Sequence, residues 1–169
     1  MPVPPNSHLR PIPADDLPVI DRANAAALLS RGLTRFLAAH GIVSLPEFTL
    51  RCGRRADLLC LDAKCRITIV EIKSSVEDFR CDQKWPEYLD YCDAFYFAVP
   101  ESFPQALIPP EQGLIVADGY GATVIRESGA FDLNAARRRA LLLQFAQLAA
   151  GRLQALSDPE GIGASLGSF

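Results

Sequence analysis

The chain has 169 residues, 49% hydrophobic and 22% charged, which fits one globular domain and excludes wholesale disorder. Seventeen Lys and Arg against 20 Asp and Glu leave a net charge of −3, which excludes a polybasic nucleic-acid coat but not a local basic strip on an acidic body. No uncharged apolar run approaches the roughly 18 residues of a membrane span, and the start Met1-Pro2-Val3-Pro4-Pro5-Asn6 has no secretory pattern; the expectation is a cytoplasmic protein without a membrane partner.

The first 18 residues hold six of the 13 prolines, and residues 1–19 read as an extended, disordered lead-in. Residues 20–156 read as the single folded domain, and 157–169, rich in Gly and Ser, as a flexible tail. Asp21 is placed to cap a helix running to about His40 and closed by Gly41, with Leu29, Leu33, Phe36 and Leu37 on one core-facing stripe. Strands are predicted over 47–50, 55–61 and 66–72, the last two joined by a turn at Asp62-Ala63-Lys64. Ser74 and Glu77 suit a capping box opening a short helix, and Pro86 opens a second one over 86–92. Residues 94–99 are a continuous apolar run, as in a strand buried on both faces. A hairpin is predicted over 113–117 and 122–126 around Asp118-Gly119-Tyr120-Gly121. A long helix, apolar on most sides and capped by Asp132 or Asn134, runs from Leu133 to about Leu156. This order defines an α/β protein with a mixed sheet. Five cysteines (Cys52, Cys60, Cys65, Cys81, Cys92) without a C-x-x-C pair argue against structural zinc and read as buried free thiols in a reducing compartment.

Two strands carry an acid where a plain core strand would not. Asp57 precedes Leu58-Leu59-Cys60-Leu61, and Glu71 follows Ile67-Thr68-Ile69-Val70. A carboxylate in such a place is costly unless paired, hydrogen-bonded or bound to a cation. Glu71 and Lys73, two apart on a strand, project from one face, and a hairpin pairing would bring Asp57 beside Glu71. Two carboxylates with a backbone carbonyl, that of Ile72, and waters suit a hard divalent cation, magnesium above all, with manganese as its substitute. Such a metal lowers the pKa of bound water and stabilises charge on a phosphoryl group, while Lys73 orients the water or steadies the transition state. The chemistry would be phosphodiester hydrolysis. The plain alternative is a Glu–Lys–Asp salt-bridge cluster at the sheet rim.

The segment Arg55-Ala56-Asp57 with Ile69-Val70-Glu71-Ile72-Lys73-Ser74-Ser75 resembles the PD-(D/E)xK signature of restriction-endonuclease-like nucleases. More specifically, residues 46–100 resemble the MmcB-like DNA-repair family of bacteria. The match is carried by Ser74-Ser75-Val76-Glu77-Asp78-Phe79, by Lys84-Trp85-Pro86-Glu87-Tyr88 and by 92–100, and Gly113-Leu114-Ile115-Val116-Ala117-Asp118 continues it. The resemblance covers about residues 30–127. It implies a restriction-endonuclease-like core of helix, three strands, helix and strand, here with an added hairpin and a long C-terminal helix. It also implies a magnesium-dependent nuclease acting on DNA in repair, with Asp57 and Glu71 as metal ligands and Lys73 as the catalytic lysine. Ala56 replaces the proline that often precedes the first acid, which alters backbone preference rather than chemistry.

Glu47 is a candidate additional acid near the metal. In nucleases of this type a Gln and a Tyr on the helix after the lysine strand contact substrate, and Gln83, Lys84 and Tyr88 lie in that region. Arg51, Arg54 and Arg55 bring positive charge to the strand leading into Asp57, a phosphate-guiding strip in which Arg54 and Arg55 are the substrate-binding candidates. Arg137-Arg138-Arg139 fans around its helix and reads as a solvated face rather than a DNA clamp. Trp85 reads as a core or rim anchor. Cutting both strands of a duplex would call for two active sites, hence a homodimer. The competing function is a non-catalytic DNA- or protein-binding module that retains the nuclease fold.

Overall fold

The computed structural model describes residues 22–159, so the predicted lead-in, the Asp21 cap and most of the predicted tail lie outside it. Six strands form one sheet in sequential order: β1 (Val43–Thr49), β2 (Arg55–Leu61), β3 (Ile67–Ile72), β4 (Ala94–Val99), β5 (Gly113–Ala117) and β6 (Ala122–Arg126). β1–β2–β3 run antiparallel, β3–β4–β5 parallel and β5–β6 antiparallel, which is the mixed sheet expected. β1 begins at Val43, earlier than expected, and carries Pro46 within it. Proline cannot donate to a ladder, and an edge strand tolerates it because one side needs no partner.

Helix α1 (Arg22–Ala39) covers one face. Its Leu29, Leu33 and Leu37 pack with Leu58, Cys60, Val70, Ile72, Ala98 and Ile115, and Phe36 flanks them. The helix ends where Gly41 takes a left-handed φ of 71° and Ile42 N–H returns to the Leu37 carbonyl. Helix α2 (Val76–Cys81), a 3₁₀ segment (Trp85–Tyr91) and α3 (Ala135–Ser157) cover the other face. There Phe48, Leu59, Ile67, Ile69, Phe95 and Phe97 form the core with Leu141. Trp85 anchors it, stacked on Phe95 at 5.8 Å and edge-on to Phe97 at 5.5 Å.

Three expectations are corrected. Ser75, not Ser74, caps α2, its Oγ accepting from Asp78 N–H, because Ser74 still follows the strand. The second short helix is a 3₁₀ segment, Trp85–Tyr91, with Pro86 in its first turn. α3 carries apolar residues on its buried and solvent-facing sides alike, as expected: Leu141 is buried while Leu143, Leu153 and Leu156 are exposed. Only Cys60 and Cys92 are buried thiols, pushed up to about 12 by desolvation; Cys52, Cys65 and Cys81 are exposed in turns and at a helix end.

Candidate functional site

Strand alternation decides which face carries the chemistry. Leu59, Ile67 and Ile69 point to the α2–α3 side, and Leu58, Cys60, Val70 and Ile72 to the α1 side. Asp57, Glu71 and Lys73 share the odd-numbered positions and so the α2–α3 side. The β2–β3 register, Leu58↔Val70, sets Asp57 opposite Glu71.

At that point the regular ladder opens. Asp57 N–H donates to Glu71 Oε1 at 3.2 Å, and Ile72 N–H donates to Asp57 Oδ2 at 2.8 Å. Each acid thus bonds a main-chain amide of the other strand, which holds both carboxylates at the fork. Glu71 is 3% exposed and Lys73 5% exposed. Burial, then the neighbouring charge of Asp57, pushes the Glu71 carboxyl up to about 8. Burial also raises Asp57, with the Ile72 amide and Lys73 opposing it. The pair is short of positive charge.

Lys73 does not supply enough of it. Its Nζ lies 3.6 Å from Glu71 Oε2 but donates to Asp82 Oδ2 at 2.6 Å. Burial pulls this ammonium down; the Asp82 hydrogen bond and the Glu71 charge outweigh that and leave it above its ordinary value. Asp82 is lowered against its own burial by Lys73 and by the Lys84 amide, which donates to Oδ1 at 2.9 Å. Asp82 was not singled out from sequence. Its only signal is an acid directly after a helix too short to carry it away from Lys73.

The remaining candidates separate. Glu47 lies on β1 between Pro46↔Leu58 and Phe48↔Ala56, hence opposite Asp57, with a left-handed φ of 54°. Its carboxylate pairs with Arg55 at 2.7 Å, while its charge still raises Asp57. Arg54 is engaged bidentately by Glu87 at 2.9 and 2.7 Å. Tyr88 is buried, stacks on Phe95 and donates its hydroxyl to the Arg55 carbonyl at 3.0 Å, so it braces the strand two residues before Asp57. Gln83 is exposed and donates to the Arg80 carbonyl; Lys84 is exposed, without a side-chain ion pair among the described residues. Ile72 contributes its amide to Asp57. Of the arginine triplet, Arg137 donates to the Asp90 carbonyl and lies over Tyr91, and Arg138 grips Asp93 at 2.5 Å. These two dock α3, contrary to the expectation of a solvated face.

Two opposed carboxyl groups supply the oxygen donors a hard divalent cation prefers, and such an ion would offset the charge their burial disfavours, so Asp57 and Glu71 fit it. Among the described residues no third His, Cys, Asp or Glu side chain completes a metal cluster. Further ligands would come from backbone, water or substrate.

Fold and site define an α/β protein whose mixed sheet opens at an acid pair beside a buried lysine. The chain belongs to the DNA repair protein MmcB-like family, whose model matches residues 15–160. It is similar to a solved structure described as "SPO1766 protein of unknown function from Silicibacter pomeroyi", with 46% identity, a TM-score of 0.80, and coverage of 83% of this chain and 97% of that one. No curated protein matches it. Among the described residues no helix is long and apolar enough to cross a membrane.

Proposed function

We propose that this chain is a metal-dependent DNA nuclease of the PD-(D/E)xK type acting in DNA repair. The observation that carries the reading is the opposed, desolvated Asp57–Glu71 pair with Lys73 within 3.6 Å of it. Asp57 and Glu71 would hold the ion, with the Ile72 carbonyl as a further ligand. When bound, magnesium or manganese supplies positive charge to a phosphodiester undergoing hydrolysis. Lys73 places an ammonium beside the reacting phosphate, where it steadies developing negative charge. Asp82 holds that ammonium in position. The two amide-to-carboxylate bonds keep both acids oriented without substrate.

Labelled DNA structures incubated with magnesium or manganese test this. Wild type should cut at least one of them, and Asp57→Ala, Glu71→Ala and Lys73→Ala should each abolish cleavage with an unchanged circular dichroism spectrum. Wild-type rates in those variants would sink the assignment.

The near-complete burial of Glu71 and Lys73, with Lys73 taken up by Asp82, favours a second reading: a non-catalytic binding module on the same fold. Calorimetric titration of magnesium or manganese into wild type and Glu71→Ala separates the two. Binding lost in the variant supports the nuclease; absence of binding in both supports the module.

A further inference from the structure

Helix α3 lies antiparallel along the edge strand β1. Gln144 Nε2 donates to the Thr49 carbonyl at 2.7 Å, and Arg152 Nη1 to the Pro46 carbonyl at 2.7 Å. Between them runs a groove of about 1120 Å³ lined by Arg51, Arg139, Arg152, Gln144, Gln147 and Leu143. Its helical wall spans positions 136 to 155, a length of about 28 Å at 1.5 Å per residue.

The charge of this groove runs against that of the molecule. The chain carries −3 overall, yet the groove holds three arginines and one acid, Glu47, which Arg55 already pairs. Arg51 and Arg139 are exposed and have neither an ion pair nor a side-chain hydrogen bond among the described residues. Arg152 bonds only carbonyls, which leaves its charge uncompensated. The floor is apolar, with Leu143 57% exposed. Guanidinium groups suit phosphate oxygens, and an apolar floor suits unpaired base faces better than an outer duplex surface. Glu47, at the Arg152 end, sits opposite Asp57 in the sheet, so a strand in this groove leads toward the acid pair.

We propose that the β1–α3 groove binds the phosphodiester backbone of a single strand of nucleic acid, with Arg51, Arg139 and Arg152 as its phosphate contacts. Of the Arg51, Arg54 and Arg55 strip expected from sequence this keeps Arg51 alone, since Arg54 and Arg55 are paired with Glu87 and Glu47. The inference rests on DNA being the substrate of the acid pair.

The test is fluorescence anisotropy of a labelled oligothymidylate of about 16 nucleotides, with chelator present so that cleavage does not enter. Losing two single-strand phosphate contacts should make the slope of log K against log salt shallower by about 1.4, which is roughly 25-fold in affinity near 0.1 M salt. Arg51→Ala/Arg139→Ala should show both effects, Arg51→Lys/Arg139→Lys should keep the wild-type slope, and Arg35→Ala on α1 should change nothing. A double alanine variant with wild-type affinity and slope overturns the groove while leaving the nuclease reading intact. Equal weakening by Arg35→Ala overturns it in favour of diffuse charge. Wild type with no salt-dependent binding overturns the groove and the DNA substrate together. Polyglutamate competing as well as unlabelled DNA overturns it in favour of an acidic protein partner.

Discussion

Glu71 enters the folded state at an electrostatic cost that should be visible as a pH signature. Its carboxyl is raised from an ordinary 4.5 to about 8, by burial first and by Asp57 second. Between those values the folded chain keeps a proton that the unfolded chain releases, so stability falls as pH rises through this window. Glu71→Gln removes the charge in a similar shape. We expect the variant to gain more in Tm over wild type at pH 8 than at pH 5; parallel curves would contradict this. The same exchange removes a carboxylate from the proposed ion site, a trade of function for stability. Asp57, Glu71 and Lys73 were legible as residues because acids interrupt apolar strands. Asp82 was not, since its role follows from how α2 turns back on Lys73.

At the scale of elements, docking of the helices rests on a few specific contacts. Asp93 receives both Nη groups of Arg138 at 2.5 Å and the Ile67 amide at 2.7 Å, tying α3 to the start of β3. Removing a charged, partly buried partner of this kind costs about 1–3 kcal/mol. The Arg138 hydrogen bond first, helped by the Ile67 amide, holds the Asp93 carboxyl below its usual value against the opposing effect of burial. Its contribution is therefore present at neutral pH and lost as pH falls through that lowered value. Asp93→Ala should lower the urea midpoint at pH 7, with the gap to wild type closing in strong acid. On the other face, a Cβ at Gly32 would lie 2.0 Å from the Asp118 carbonyl oxygen, so α1 meets the β5–β6 turn backbone to backbone. Gly32→Ala should cost about 1–3 kcal/mol despite alanine's better helix propensity, because the turn has to move. A Tm at or above wild type would refute the close approach. The strands and helices were legible because their periodicities are local, whereas the Arg138–Asp93 partnership spans 45 positions and has no local signal.

For the molecule as a whole, one sheet serves as the shared wall of two cores. α1 closes the first, and α2, the 3₁₀ segment and α3 close the second. Damage to either core should therefore unfold both. Leu33→Ala, on the α1 side, should cost about 2–5 kcal/mol. The fluorescence of Trp85, on the opposite side, should report the same midpoint as far-UV circular dichroism. Separate midpoints would mean that the faces unfold independently. α3 adds a second service at this scale: Gln144 and Arg152 occupy outward carbonyls of β1, which blunts an edge strand otherwise open to pairing.

The sequence by itself determined the element order, the hairpin and the acid–acid–lysine grouping, because each depends on alternation or spacing within a few residues. Strand parity sufficed to put Glu71 and Lys73 on one face, and hairpin pairing to bring Asp57 across from them. Tertiary structure alone decided which charges remain available. It neutralised Arg54 and Arg55 through Glu87 and Glu47, turned Arg137 and Arg138 into docking contacts, and left Arg51, Arg139 and Arg152 lining a groove. The physical reason is that an ion pair needs its partners within about 4 Å. Arg55 and Glu47 meet across the β1–β2 hairpin, but Arg54 and Glu87, 33 positions apart, and Arg138 and Asp93, 45 apart, meet only when the sheet and its helices have assembled.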